Sequence, residues 1–159
     1  MTSTHFDDDM VADITREVWA AMVDGSLSAH DEPGAPTAPS GECDLTGAVD
    51  INGTWCGTVY LSFSLAAARQ AASKMFDAPP DDVTSEDIDD AVGELTNIIG
   101  GTLKMRIPQP ATLSVPRVTA ELPVAGRDGE AEMVSELRFA WLDEPLMIGV
   151  WRRPAAAAD

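Results

Sequence analysis

The sequence is poor in the residues that carry most metal and nucleophilic chemistry, with only two histidines and two cysteines among 159 residues. His5 lies in a polar N-terminal stretch and His30 in a predicted loop, so both are expected to be solvated. Cys43 and Cys56 have no further Cys or His at metal-ligand spacing, which favours free thiols over a zinc site or a disulfide. No serine or cysteine stands in a motif with a base, and no glycine-rich phosphate loop ends in Lys-Ser/Thr. The sequence therefore predicts no metal site and gives no support to a nucleophilic triad.

Basic residues are also scarce, since 10 Lys and Arg face 27 Asp and Glu, for a formal charge of −17. This imbalance excludes a nucleic-acid or anionic-membrane surface, because both need basic patches. No apolar run approaches the roughly 20 residues of a membrane span, and the N-terminus lacks the basic and apolar regions of a secretory signal. We therefore expect a cytoplasmic protein without membrane insertion, in which the acidity either maintains solubility or steers a basic partner.

The length suits one domain over residues 1–159, large enough to bury a core. The apolar spacing of residues 8–23 predicts an amphipathic first helix. Residues 24–42 are rich in Gly, Ser, Ala and Pro and are interpreted as a flexible loop, since the helix before them cannot bury its apolar face alone. The tail at 155–159 is expected to fray.

The remaining elements predict an α+β fold. Residues 43–64 resemble two strands around Asn52-Gly53, and only an odd register aligns their apolar rows. A short helix is expected at 65–76. Further strands are predicted at 113–122, 130–141 and 146–152. The sum is a two-layer sandwich in which a mostly antiparallel sheet of about five strands carries helices on one face.

The helical segment Thr84 to Lys104 has one apolar and one polar face. At about 100° per residue, one side gathers residues that are all apolar except Thr102: Ile88, Ala91, Val92, Leu95, Ile98, Ile99, Thr102 and Leu103. The opposite side forms a polar stripe of Asp90, Glu94, Asn97, Gly101 and Lys104. Thr84 and Asp87 have the spacing of a capping box that starts the helix, whereas Gly100-Gly101 could end it early.

The polar stripe has two unfavourable features. Asp90 and Glu94 are a like-charge pair four residues apart, which destabilises an isolated helix by roughly 0.2–0.5 kcal/mol. Gly93, Gly100 and Gly101 lie in or beside the stripe, and each costs roughly 0.5–1 kcal/mol relative to Ala. Both features would make sense if a partner approached the helix closely and brought a cation. The stripe is therefore the predicted working surface.

The pattern of Asp90, Glu94 and Asn97 running into Gly100-Gly101 resembles the signature of the CheC/CheX/FliY phosphatases of bacterial chemotaxis. These proteins act in two-component signalling, where they remove phosphate from aspartyl-phosphate response regulators of the CheY type. The family pattern ends in a downstream proline, for which Pro116 and Pro123 are the candidates.

The first helix repeats the spacing with Asp13, Glu17 and Ala20, but with alanine in place of the amide. The repeat is either the trace of a duplicated unit or chance. Because only one motif is intact, the chain is more similar to CheX than to CheC, which carries two such helices.

The resemblance implies a role for each residue of the stripe. Asn97 would orient the attacking water, and Glu94 would pair with a lysine of the regulator. Asp90, Gly93, Gly101 and Lys104 are predicted to lie against the partner, although Asp90 could equally serve only solubility. The regulator would supply the Mg²⁺ and the phosphorylated Asp, so no cofactor of the chain's own is expected.

Three functions stay open at this point. The first is a CheX-like aspartyl-phosphate phosphatase, and the second is a non-catalytic module that binds a receiver domain or other signalling partner. The third, a small-molecule enzyme with paired carboxylates, has no closed pocket to support it. The resemblance also implies a homodimer, for which the edges of an antiparallel sheet are available.

Overall fold

The computed structural model describes residues 6–23, 28–29, 44–120, 132–142 and 144–153. Within these residues the helices are α1 (Asp8–Met22), α2 (Leu65–Phe76) and α3 (Ser85–Lys104), with a 3-10 turn at Pro80–Asp82. The strands are β1 (Ser28–Ala29), β2 (Leu45–Gly53), β3 (Gly57–Phe63), β4 (Ala111–Leu113), β5 (Arg117–Thr119), β6 (Glu132–Trp141) and β7 (Glu144–Arg152).

The strands form one sheet in the order β1-β6-β7-β3-β2-β4, and β5 also pairs with β2. Every pairing among the described strands is antiparallel. The helices pack on one face of this sheet, where α1 contacts β6, α2 contacts β3 and β7, and α3 contacts β2. The predicted α+β sandwich is confirmed, with two additional short strands in the sheet.

The helix layer and the sheet enclose the core. Val11, Ile14 and Trp19 of α1 are almost completely buried. The ring of Trp19 lies 5.6 Å from that of Phe63 in β3 and 5.3 Å from that of Trp141 in β6. Aromatic rings at such centroid separations add to the stability that burial alone provides.

The predicted loop at 24–42 lies mostly outside the described residues. Ser28 and Ala29 are an exception, because they form β1 opposite Ala140 and Phe139 of β6. The prediction of an irregular segment is therefore wrong at these two positions. The tail at 155–159 and Cys43 also lie outside the described residues.

The first hairpin has the predicted register parity but a different turn. Val49 pairs with Val59 and Ile51 with Gly57, so the apolar residues of both strands share one face. The turn lies at residues 54–56, because Asn52 and Gly53 continue β2 and pair with β4. The prediction of a turn centred on Asn52-Gly53 is wrong, since an edge partner keeps both residues in the strand.

The predicted strand at 113–122 is instead two short strands, β4 and β5. The two strands are interrupted at residues 114–116, where Ser114 forms two hydrogen bonds with the backbone of Asp50. The Ser114 N–H donates to the Asp50 carbonyl, and the Ser114 Oγ accepts from the Asp50 N–H, both at 2.9 Å. Both short strands pair with β2.

Asp50 also fastens β5 to the sheet with its side chain. Arg117 of β5 donates to it at 2.9 and 3.3 Å, and Thr58 Oγ1 donates at 2.8 Å. Burial alone would raise the pKa of Asp50, but the hydrogen bonds from Arg117 and Thr58 outweigh it and hold the pKa below its usual value. The segment from β4 to β5 is therefore held firmly on β2, beside α3.

Candidate functional site

Helix α3 begins at a complete capping box. Thr84 Oγ1 accepts from the Asp87 N–H, and Asp87 Oδ2 accepts from the Thr84 N–H, both at 3.1 Å. Val83 and Ile88 flank this box and are both buried, as in a hydrophobic staple. The helix continues across Gly100-Gly101 and ends at Lys104. Its start is fixed, so its faces have a defined orientation.

The packed face of α3 lies unusually close to β2. A Cβ at Gly100 would come within 2.5 Å of Val49 Cγ2, and a Cβ at Gly47 would collide with Thr96 Oγ1. Thr96 is fully buried, and its hydroxyl donates to the Val92 carbonyl at 2.7 Å. At Gly100 the surface that lies close to the helix is therefore the protein's own sheet. The interpretation that Gly100 makes room for a partner is wrong.

The polar stripe lies on the opposite face, as predicted. Asp90 and Glu94 are exposed, whereas Asn97, Gly101 and Lys104 are half-buried. Among the described residues, the side chains of Asp90, Glu94 and Asn97 have no hydrogen-bond or ion-pair partner, although many other such contacts are present there. These groups are free to bind a partner.

One side of the stripe is bordered by the segment from β4 to β5. A Cβ at Gly93 would meet Pro116 Cγ and Val118 Cγ2 at 3.7 Å, and one at Gly101 would meet Leu113 Cδ2 at 3.8 Å. Gly93 is buried, so the space that the sequence assigned there to a partner is filled by the chain itself. Gly101 stays half-buried. Partner contact with Gly101 and with Lys104 stays a prediction. The predicted contact with Gly93 is untested, and its burial leads us to expect none.

Pro116, the first candidate for the family's downstream proline, therefore lies beside the helix that carries the motif. The preceding Val115 is 81% exposed. The second candidate, Pro123, lies outside the described residues.

The other side of the stripe opens into a groove of about 550 Å³. Its lining among the described residues comes from three helices: Ala21 and Met22 at the end of α1, Met75 and Phe76 at the end of α2, and Asp90 and Glu94 in the first half of α3. Sequence reasoning missed this helix groove because it treated the apolar residues of the first helix as one packed face and gave Phe76 no role. The available signal was an aromatic residue at the very end of α2, followed by a turn.

The described residues contain neither a metal-binding cluster nor a membrane-spanning helix. No group of three His, Cys, Asp or Glu side chains there could hold a metal ion. None of the helices in this part of the chain has the length and apolar character to cross a membrane.

The fold and the stripe define the class of protein: an α+β sandwich that holds a polar helix face between a fixed strand segment and an open groove. The family model of the chemotaxis phosphatase CheX matches residues 45–135, a range that includes α3 and the strands around it. The chain belongs to this CheX family of chemotaxis phosphatases, and the resemblance noted in the sequence is confirmed.

Solved structures show the same fold. The chemotaxis protein CheX from Vibrio vulnificus is 17% identical, with a TM-score of 0.70, over 94% of this chain and 98% of that one. A CheC-like superfamily protein from Shewanella is 20% identical, with a TM-score of 0.68, over 91% and 95%. The CheX of a CheX-CheY-BeF3-Mg²⁺ complex from Borrelia burgdorferi is 18% identical, with a TM-score of 0.65, over 91% and 96%. A search of curated protein sequences finds no match.

Proposed function

We propose that the protein hydrolyses the aspartyl phosphate of a CheY-type response regulator. The observation that carries this proposal is the pair Glu94 and Asn97, which lie about one turn apart on the open face of α3 and form no hydrogen bond or ion pair with another described residue. Membership of the CheX family and the existence of a relative in complex with CheY support the choice of substrate.

The reaction needs a water held in line with the bond that breaks. The water oxygen bonds to phosphorus, the bond from phosphorus to the aspartyl oxygen breaks, and a free carboxylate and inorganic phosphate remain. A carboxamide suits this task because its oxygen accepts a hydrogen bond from the water while its NH₂ group can donate to a neighbouring oxygen. Asn97 takes this role without a change of protonation state.

Glu94 fixes the approach of the partner. Its exposed carboxylate forms an ion pair with a lysine of the receiver, which contributes orientation and specificity more than affinity. The like-charge repulsion between Asp90 and Glu94 is reduced when this cation arrives. The receiver supplies the Mg²⁺ as well as the phosphoryl group, so the chain contributes only the positioning groups.

The test is the lifetime of phosphate on purified, phosphorylated CheY-type receivers encoded with this protein, measured with and without it. We expect faster loss of phosphate from the cognate receiver. Unchanged lifetimes on every receiver would refute the phosphatase function, and tight binding without hydrolysis would identify a non-catalytic binding module. Sedimentation of the free protein tests the expected homodimer separately.

A further inference from the structure

The helix groove beside the polar stripe has an unusual composition for a surface depression. Phe76 is 45% exposed, and Met22 and Met75 are half-buried beside it. The position of Phe76 is fixed, because Asp77 adopts the left-handed conformation with φ of 52° and the Ala78 N–H donates to the Ser73 carbonyl at 3.1 Å. An aromatic side chain is thereby held at the rim instead of turning into the core.

Met22 and Met75 allow the groove to adapt to different occupants. Their unbranched, polarisable side chains fit apolar groups of different shapes, which is why methionine is common on protein-binding surfaces. An apolar side chain that enters the groove would cover Phe76, Met22 and Met75 together and remove their exposed area from water.

The charge of the groove limits which kinds of partner can occupy it. Asp90 and Glu94 form the wall on α3, and none of the described residues that line the groove is basic. An anionic lipid or an acidic peptide would be repelled by this wall. A protein surface that carries an apolar side chain beside a cation complements both parts of the groove.

Glu94 belongs to the helix groove and to the polar stripe at once. A partner whose cation pairs with Glu94 must therefore lie against the groove as it presents its phosphoryl group to Asn97, about one turn further along α3. The groove and the stripe are parts of one continuous surface that a single partner can cover.

The geometry points to the helix groove as a second docking site for the receiver domain, which inserts an apolar side chain between Met22 and Phe76 next to the cation that Glu94 binds. This inference rests on the proposed function for the identity of the partner. It adds a contact that provides affinity, separate from the water-positioning amide.

The test compares Phe76→Ser with Leu65→Ser. Both side chains are 45% exposed and both belong to α2, but Leu65 is at the opposite end of the helix and does not line the groove. Binding of the Mg²⁺- and beryllofluoride-treated CheY-type receiver is measured by calorimetry, and kcat and KM by phosphate release. We expect Phe76→Ser to raise Kd and KM about tenfold with kcat unchanged, as for loss of a uniform binding contact.

Leu65→Ser should leave both constants at the wild-type values, and Phe76→Leu, which keeps an apolar side chain, should retain most of the affinity. Thermal unfolding of each variant establishes that it is folded. A Kd for Phe76→Ser equal to that of the wild type would overturn the docking site, as would an equal loss in Leu65→Ser. Wild-type protein that self-associates through Phe76 would assign the groove to a second copy and overturn it as well.

These outcomes separate the two proposals. If hydrolysis depends on Asn97 but binding and hydrolysis do not depend on Phe76, only the docking-site proposal is refuted. Binding that needs Phe76 without any hydrolysis would remove only the phosphatase function.

Discussion

The two faces of α3 differ in almost every property that can be compared. On the packed face, Thr96 and Gly100 lie against β2 so closely that no additional methyl group fits at Gly100. On the open face, Glu94 and Asn97 form no hydrogen bond or ion pair with another described residue. We therefore expect substitutions on the packed face to change stability and substitutions on the open face to change function.

The largest effect is expected for Asn97→Ala on the open face. Without the amide, the water is no longer held in line, and we expect the rate of dephosphorylation to fall about 100-fold. The free energy of unfolding should stay within about 0.5 kcal/mol of the wild type, because the side chain has no hydrogen bond or ion pair with another described residue. Phosphate release at saturating receiver and chemical unfolding measure the two quantities.

Calorimetric binding of the receiver serves as the control for Asn97→Ala, since the affinity should be largely retained. Full activity of this variant would show that Asn97 does not position the attacking water. A large loss of stability would show that the two faces are not separable at this position.

The separation of the faces could be predicted from the sequence, because it depends on local periodicity. The apolar spacing along 84–104 and the capping pair Thr84 and Asp87 placed Glu94 and Asn97 on the open face. Such features depend on residues within a few turns of one another, which a single sequence contains in full.

What lies next to each face could not be predicted, because it depends on residues distant in the chain. Gly100 faces Val49 of β2, and Gly93 faces Pro116 of the segment from β4 to β5. The helix groove likewise needs the ends of α1 and α2 beside the first half of α3. The turn of the first hairpin was misplaced for the same reason, since the edge partner β4 follows about 60 positions later and keeps Asn52 in the strand.

The second prediction concerns Gly100→Ala on the packed face. The added methyl group would come within 2.5 Å of Val49 Cγ2, so the helix must move away from the sheet. We expect a loss of about 1–3 kcal/mol in the free energy of unfolding, as is typical of overpacking. Urea denaturation followed by far-UV circular dichroism gives the value.

In the folded fraction of Gly100→Ala, kcat should stay near that of the wild type. An unchanged unfolding free energy would show that the close contact with Val49 is easily relaxed. The packed face would then lose its special role.

The third prediction returns to the open face with Glu94→Ala. Loss of the carboxylate removes the ion pair that orients the receiver, and we expect kcat/KM to fall about tenfold, or about 1.4 kcal/mol, with part of the loss in KM. Added salt should raise KM of the wild type more than that of the variant, because the ion pair is screened. The matched control is Glu17→Ala, an exposed glutamate at the corresponding position of the α1 pattern.

Glu17→Ala should change kcat/KM little, because α1 carries Ala20 where α3 carries the amide. Equal effects of the two substitutions would mean that Glu94 acts only through the overall negative charge. The open face of α3 would then not differ from that of α1.

The smallest effect is expected for Gly93→Ala, which lies at the boundary of the two faces. A Cβ there would meet Pro116 and Val118 at 3.7 Å, an ordinary van der Waals contact, so alanine fits without movement. Replacing a helical glycine should then raise the free energy of unfolding by about 0.5–1 kcal/mol. KM for the receiver should not change, because Gly93 is buried by the chain's own strand segment. A higher KM in a more stable protein would instead mean that the partner's backbone approaches Gly93, which would extend the open face across this boundary.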